Sequence, residues 1–355
     1  ILQAAATYSG STTISGGIVT VGVNQAIGSG NLNIIGGGTL DLGASDITVA
    51  LVTTSGASPV INGTGVITST QGFVFSHTGD TTVSAILAGA GGLFKNQSNV
   101  LALNGASTYS GITEVQNGTL AISSISSVGA GPSALGNPVS IENGIIRMGL
   151  TTGGTTLSYT GAGHSSDRLV GLQGTTGGVT LSADGTGAFQ MGGAVMIRAG
   201  NKTLTLSGTS DAAIENTLGL VDDGIIGGLS LAKVDANTWV LTAANSYSGI
   251  TQIDNGTLKI GVGDALPTGT TVRLGSGATA GTFDLNGFNQ TIASLLSQTN
   301  SAVLTNHLII DPGNTLTVTG AVTIGSTAAT STTLFSAIGG GSFVNNNEGG
   351  TFQIG

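Results

Sequence analysis

Cysteine is absent from all 355 residues. This excludes a disulfide framework, a thiolate metal site and a cysteine nucleophile. Charge is scarce as well: charged residues make up 7% of the chain, against about a quarter in an ordinary globular protein. Lys and Arg number eight against 17 Asp and Glu, for a net charge of -9. No basic patch can be assembled from so few cations to hold phosphates, so nucleic acid is not an expected partner. With one Trp and four Tyr, the two aromatic girdles of a transmembrane barrel cannot be supplied. The most apolar run, TTVSAILAGAGGLF from Thr81, is too short and too glycine-rich for a spanning helix, so this segment is not expected to insert into a membrane. The opening ILQAAATYSG has neither the positive region nor the apolar stretch of a secretory signal.

What the chain does contain is glycine, 62 residues of it, set among evenly spread Val, Ile and Leu and many Ser, Thr and Asn. That mixture predicts a folded, turn-rich protein with a neutral polar surface. Three of the four tyrosines stand in near copies of one phrase: TYSGSTTISGGIV from Thr7, TYSGITEVQNGTL from Thr108 and SYSGITQIDNGTL from Ser246. Aligned on Tyr8, Tyr109 and Tyr247, the copies agree at many positions. Leu2, Leu103 and Leu241 precede the tyrosine, and Gly10, Gly111 and Gly249 follow it. Thr12, Thr113 and Thr251 come next, then Gly17, Gly118 and Gly256, the last two preceded by Asn117 and Asn255 and followed by Leu120 and Leu258.

Tyr-Ser-Gly and Asn-Gly are turn chemistry, and between the turns apolar residues alternate at period two, one side chain in and one out. No stretch has a sustained helical period. The reading is all-β with short strands. Similar corners at long intervals favour a β-solenoid over a sandwich, because stacked coils reuse their corners. One coil alone buries too little apolar area to offset its ordering entropy, whereas stacking makes the core continuous.

Two further phrases recur. AIGSGNLNIIGGGTLDLG from Ala26 is echoed from Ala134 and Ala265, and GGLFKNQSNVLALNGAS from Gly91 is echoed from Gly227. The chain is therefore read as one continuous solenoid over 1–355, with modules of approximately 1–90, 91–226 and 227–355.

GGLFKNQSNVLALNGASTYSGITEVQNGTLAI and GGLSLAKVDANTWVLTAANSYSGITQIDNGTLKIG resemble the autotransporter-associated β-strand repeat, the passenger-associated repeat of large bacterial surface and secreted proteins. Residues 2–22 resemble it in part. The resemblance implies a right-handed parallel β-helix exported to the cell surface or beyond, and implies no activity. The chain departs from autotransporters in carrying no aromatic-rich C-terminal barrel, so no export route is read from it.

Candidate chemistry is sparse. His77, His164 and His307 are far apart in sequence. GAGHSSDR, with His164, Ser165, Ser166 and Asp167, holds the residue types of a hydrolytic triad, but neighbours in one turn cannot line up nucleophile, base and orienting acid. Asp222 and Asp223, with Glu215 or Asp211, offer the carboxylates of a sugar hydrolase, and read more simply as surface turns. No GGxGxDx array calls for calcium, and DPGN at Asp311 is an ordinary turn. The glycine clusters at Gly89–Gly92 and Gly224–Gly228 lack the Lys-Ser/Thr of a phosphate loop. Trp239 reads as a core or corner aromatic. No catalytic residue, cofactor or metal is expected.

The first residues, ILQAAATYSG, align inside the motif, and IGGGSFVNNNEGGTFQIG at the other end resembles the opening that this copy lacks. The expectation is a non-enzymatic extracellular subunit or segment of a bacterial surface fibre, stacking end to end with copies of itself through residues near Ile1 and Gly355. The alternatives are an adhesin passenger that binds a surface or host ligand and, third, a surface polysaccharide hydrolase.

Overall fold

The computed structural model describes residues 1–150, 153–175, 177–197, 200–219, 221–222, 228–276, 279–298 and 305–325, together with the strands Leu334–Ile338, Ser342–Asn345 and Phe352–Ile354. Short β-strands dominate, and Ile141–Gly144 is the one α-helix among the described residues; none there is long and apolar enough to cross a membrane. Among the described residues the strand ladders pair in parallel, and strands meet the corresponding strand of the next coil. This is a parallel β-solenoid. The chain divides into two compact units, Ile1–Val179 and Thr180–Gly355, a division that the repeat phrases do not mark.

In the first unit, Thr12 pairs with Leu32, Leu32 with Val52, Val52 with Phe73, Phe73 with Leu93 and Leu93 with Thr113. Each step is 20 or 21 residues, the length of a coil. The period-two alternation turns one residue of each pair inward, so Leu32, Val52, Phe73, Leu93 and Thr113 form a fully buried column. A second sheet carries Leu40, Ile61, Val83, Leu103, Ile122 and Tyr159 in another buried column.

One coil is longer. Thr113 pairs with Ile146 and Leu120 with Leu157, so the chain makes an excursion over 123–145. The helix Ile141–Gly144 lies there, its N-terminus capped by the Ser140 side chain. Arg168, buried beneath, ties the excursion down by donating from Nε to Gly144 O and from Nη1 to Leu135 O, both at 2.7 Å. Burial pulls its guanidinium below the usual arginine range.

In the second unit, the strands Lys202–Ser207, Leu229–Lys233, Thr251–Ile253, Thr271–Leu274, Ser294–Gln298 and Val322–Gly325 form one ladder. Gly187–Met191, Glu215–Leu218, Thr238–Leu241, Gly256–Ile260, Gly281–Asp284 and Thr305–Ile309 form another. The strand Gln290–Ile292 pairs with Thr315–Val318 in a third. Coil length varies here as well: Leu231 meets Thr251, whereas Leu295 meets Val322.

Leu103 sits between Val83 and Ile122 at 1% exposure. An aspartate there would bury a charge with no partner. Leu103→Asp is expected to destabilise the first unit by on the order of 4 kcal/mol or more, read as a lower and less cooperative thermal transition by circular dichroism. An unchanged melting curve would overturn the inward assignment.

Candidate functional site

The residues shared by the three copies gather at one corner of the coil. In each copy the tyrosine hydroxyl meets the threonine four residues on: Tyr8 to Thr12 Oγ1 at 2.8 Å, Tyr109 to Thr113 at 2.8 Å and Tyr247 to Thr251 at 2.6 Å. Tyr109 and Tyr247 are buried and Tyr8 is 48% exposed. Burial raises the phenol pKa of both inner tyrosines, so they stay protonated and able to donate. Between tyrosine and threonine, Gly111 and Gly249 pass so close to the preceding coil that a Cβ would strike Gly91 C at 2.5 Å or Leu229 O at 2.6 Å; Gly10 has open space around it.

The strands before and after this corner stack on each other. Leu101 and Leu103 pair with Leu120 and Ile122, and Trp239 and Leu241 with Leu258 and Ile260. Leu103, Leu120, Leu241 and Leu258 are buried, whereas Leu2 is 37% exposed and bridges to Val21. A repeat phrase therefore spans two successive coils, each half covering the other.

At the Asn-Gly turn, Gly118 and Gly256 adopt φ of 73° and 68°, and a Cβ at either would press on carbonyls of the coil before it. Gly17 takes the same left-handed conformation, φ 68°. Asn117 and Asn255 turn their side-chain oxygens onto the following glycine N–H, at 2.8 and 2.9 Å.

Two residues that sequence reasoning passed over complete the corner. Lys95 and Lys233 are wholly buried. Lys95 Nζ donates to Gln97 O at 2.5 Å, Asn117 O at 3.1 Å and Asn99 Oδ1 at 3.3 Å. Lys233 Nζ donates to Val234 O at 2.5 Å, Asp235 O at 2.7 Å and Asn255 O at 3.1 Å. A tight turn leaves carbonyls outside the strand ladder, and a buried carbonyl needs a donor. An ammonium carries three donors and satisfies three such acceptors at once. Burial lowers the pKa of Lys95 to about 8 and of Lys233 to about 7. A signal was present in the sequence: each lysine stands fourteen residues before its tyrosine.

The remaining candidates do not converge. His164 Nδ1 is 2.6 Å from the Tyr159 hydroxyl, which also accepts the Gly163 N–H. Ser166 Oγ donates to Ser126 O, Asp167 Oδ1 accepts the Val128 N–H, and Ser165 is exposed. No relay links these groups. His77 is buried beside Thr54 and edge-on to Phe75; burial first, then Lys95, lowers its pKa to about 4, so it is neutral. His307 is half-buried in its strand. Glu215 pairs with Lys259 at 2.7 Å, and Asp211 caps the Ala213 N–H at 2.9 Å. The Asp222 side chain, Asp223 and the cluster 224–227 lie outside the described residues, as does most of 338–350. Asp311 accepts the Asn314 N–H on its carbonyl, an ordinary turn. Trp239 is buried edge-on to Phe189 and donates to Ser207 O at 3.1 Å. A groove of 540 Å³ in the second unit is lined by Asp184, Thr186, Thr209, Ser210, Asp211 and Ile214, but Thr209 already occupies the Asp184 carboxylate. Among the described residues no three His, Asp or Glu side chains could jointly hold a metal.

The lysine cages set a pH dependence. A folded pKa near 7 or 8 against 10.5 for the free side chain means that the native state releases its proton first. Below pH 7 both states are charged and the burial penalty is felt in full; as pH rises toward 10.5 it fades, and stability rises. Lys95→Met with Lys233→Met removes that rise while leaving carbonyls without donors, at a cost of about 1–3 kcal/mol for each. With free amines, melting temperatures of wild type and double variant are therefore expected to diverge as pH increases; a constant difference would mean that the two side chains do not titrate in the folded chain.

The passenger-associated-transport-repeat family matches at residues 1–21, 93–122 and 231–260. The second and third matches run from a strand holding a caged lysine, through the tyrosine corner, to the strand after Asn-Gly. Over 248 residues, 67% of this chain, the sequence is 31% identical to the adhesin BmaC autotransporter of Brucella suis biovar 1 (strain 1330). The chain spans 7% of that relative's length. No solved structure matches it. The repeated corner and its matches make this chain a passenger-associated-transport-repeat protein, a β-solenoid of the autotransporter passenger type.

Proposed function

We propose that the chain is a non-enzymatic stretch of a surface-exposed or secreted passenger, adhesin-type, whose stacked coils carry and space the contacts made outside the cell. One observation supports this above others: in the two inner copies the repeat residues point into the core or close a corner, through Tyr–Thr bonds, lysine cages and close glycine contacts. They serve the stacking of the coil, and the outer faces are free to vary. The adhesin role is carried by the similarity to the Brucella protein and belongs to this chain as a proposal.

The test is display of residues 1–355 on a non-adherent bacterium, with cells retained on eukaryotic monolayers counted against a matched strain that displays an unrelated solenoid. A several-fold rise in retention that soluble chain competes away is the expected result. Retention equal to the control would leave a spacer without adhesive contacts.

End-to-end association of copies is a second reading, supported by the parallel pairing through which one coil meets the next. Sedimentation velocity over rising concentration is expected to show growing linear species; a single monomer boundary throughout would remove it.

A further inference from the structure

The Lys95 cage places a nucleophile against an electrophile. Lys95 Nζ lies 3.3 Å from the carboxamide oxygen of Asn99, whose nitrogen is held by Gly79 O at 2.6 Å. The second copy repeats the spacing: Asn237 is four residues beyond Lys233, its nitrogen held by Ser207 O at 2.9 Å. The oxygen of Asn237 is buried with no hydrogen-bond partner among the described residues, so Lys233 Nζ does not bond to it as Lys95 does to Asn99, and the second pair rests on the shared spacing. Each lysine has one aspartate acting on it electrostatically, Asp80 for Lys95 and Asp235 for Lys233. The Asp80 carboxylate takes the N–H of Val100, the residue next to Asn99.

We propose that Lys95 with Asn99, and Lys233 with Asn237, form intramolecular isopeptide bonds that lock the repeat corner. The neutral ε-amine attacks the carboxamide carbon; the Nζ–Cγ bond forms, the Cγ–Nδ2 bond breaks, and the proton shed by the amine leaves with the departing nitrogen as ammonia. Nothing is oxidised or reduced, and no co-reactant is consumed. Burial supplies the neutral amine, since a pKa near 8 or 7 leaves an appreciable free-base fraction at neutral pH. In a chain without cysteine, this chemistry offers a covalent staple without an oxidising environment.

The experiment is intact-mass spectrometry of the purified full chain, followed by denaturation and tryptic mapping. The expected mass falls short of the sequence by one ammonia for each bond, and trypsin fails to cut after Lys95 and Lys233. Lys95→Arg or Asn99→Ala should each restore one ammonia, whereas Asn99→Asp should expel water in its place. The wild-type chain decides by itself, so a variant that fails to fold does not blur the result. A full sequence mass with cleavage after both lysines overturns the proposal, as does ammonia loss mapped to Asn117 or Asn255 at the Asn-Gly turns.

Discussion

Parallel backbone pairing between coils is the constraint on which the rest depends. Each strand must hydrogen-bond to the strand one coil earlier and one coil later, so a position about 20 residues away inherits the same facing and the same neighbours. Columns such as Leu40–Ile61–Val83–Leu103–Ile122 follow directly. Strand sides look after themselves. Corners do not: where the chain turns, carbonyls leave the ladder, and something must donate to them.

The repeat is one answer to that problem. Tyrosine caps the inward threonine, glycine lets one coil approach the next, and lysine reaches from an inward strand position to carbonyls of its own corner and of the Asn-Gly turn above. A buried ammonium is costly unless its donors are satisfied. Here three oxygens meet each one, which explains how Lys95 and Lys233 are tolerated in the core, where Arg168 and Lys202 are buried as well. The same device joins two coils, because Asn117 O and Asn255 O belong to the following turn.

Much of this was legible before the structure. Period-two alternation in TEV and GTLAI gave strands with a defined inner face, and glycine at fixed offsets from tyrosine marked turns. The tyrosines and threonines were both visible as repeat positions, yet their hydrogen bond depends on a turn that folds four residues back on themselves. Lys95 and Lys233 were passed over because composition treats lysine as surface, although their common register with tyrosine was there to be read. The excursion over 123–145 lies partly in the phrase echoed from Ala134, but nothing in that phrase announced its helix or the buried Arg168.

The amino-acid sequence alone determined the class of the fold, the register of its repeat and the positions of its turns, since these follow from local alternation and from glycine's backbone freedom. Which side chains meet was left to the tertiary structure. Residues twenty apart become neighbours only once coils stack, so the Lys95 cage, the pairing of Leu103 with Ile122 and the separation of His164, Ser166 and Asp167 onto different partners are properties of the stack and not of any single stretch of chain.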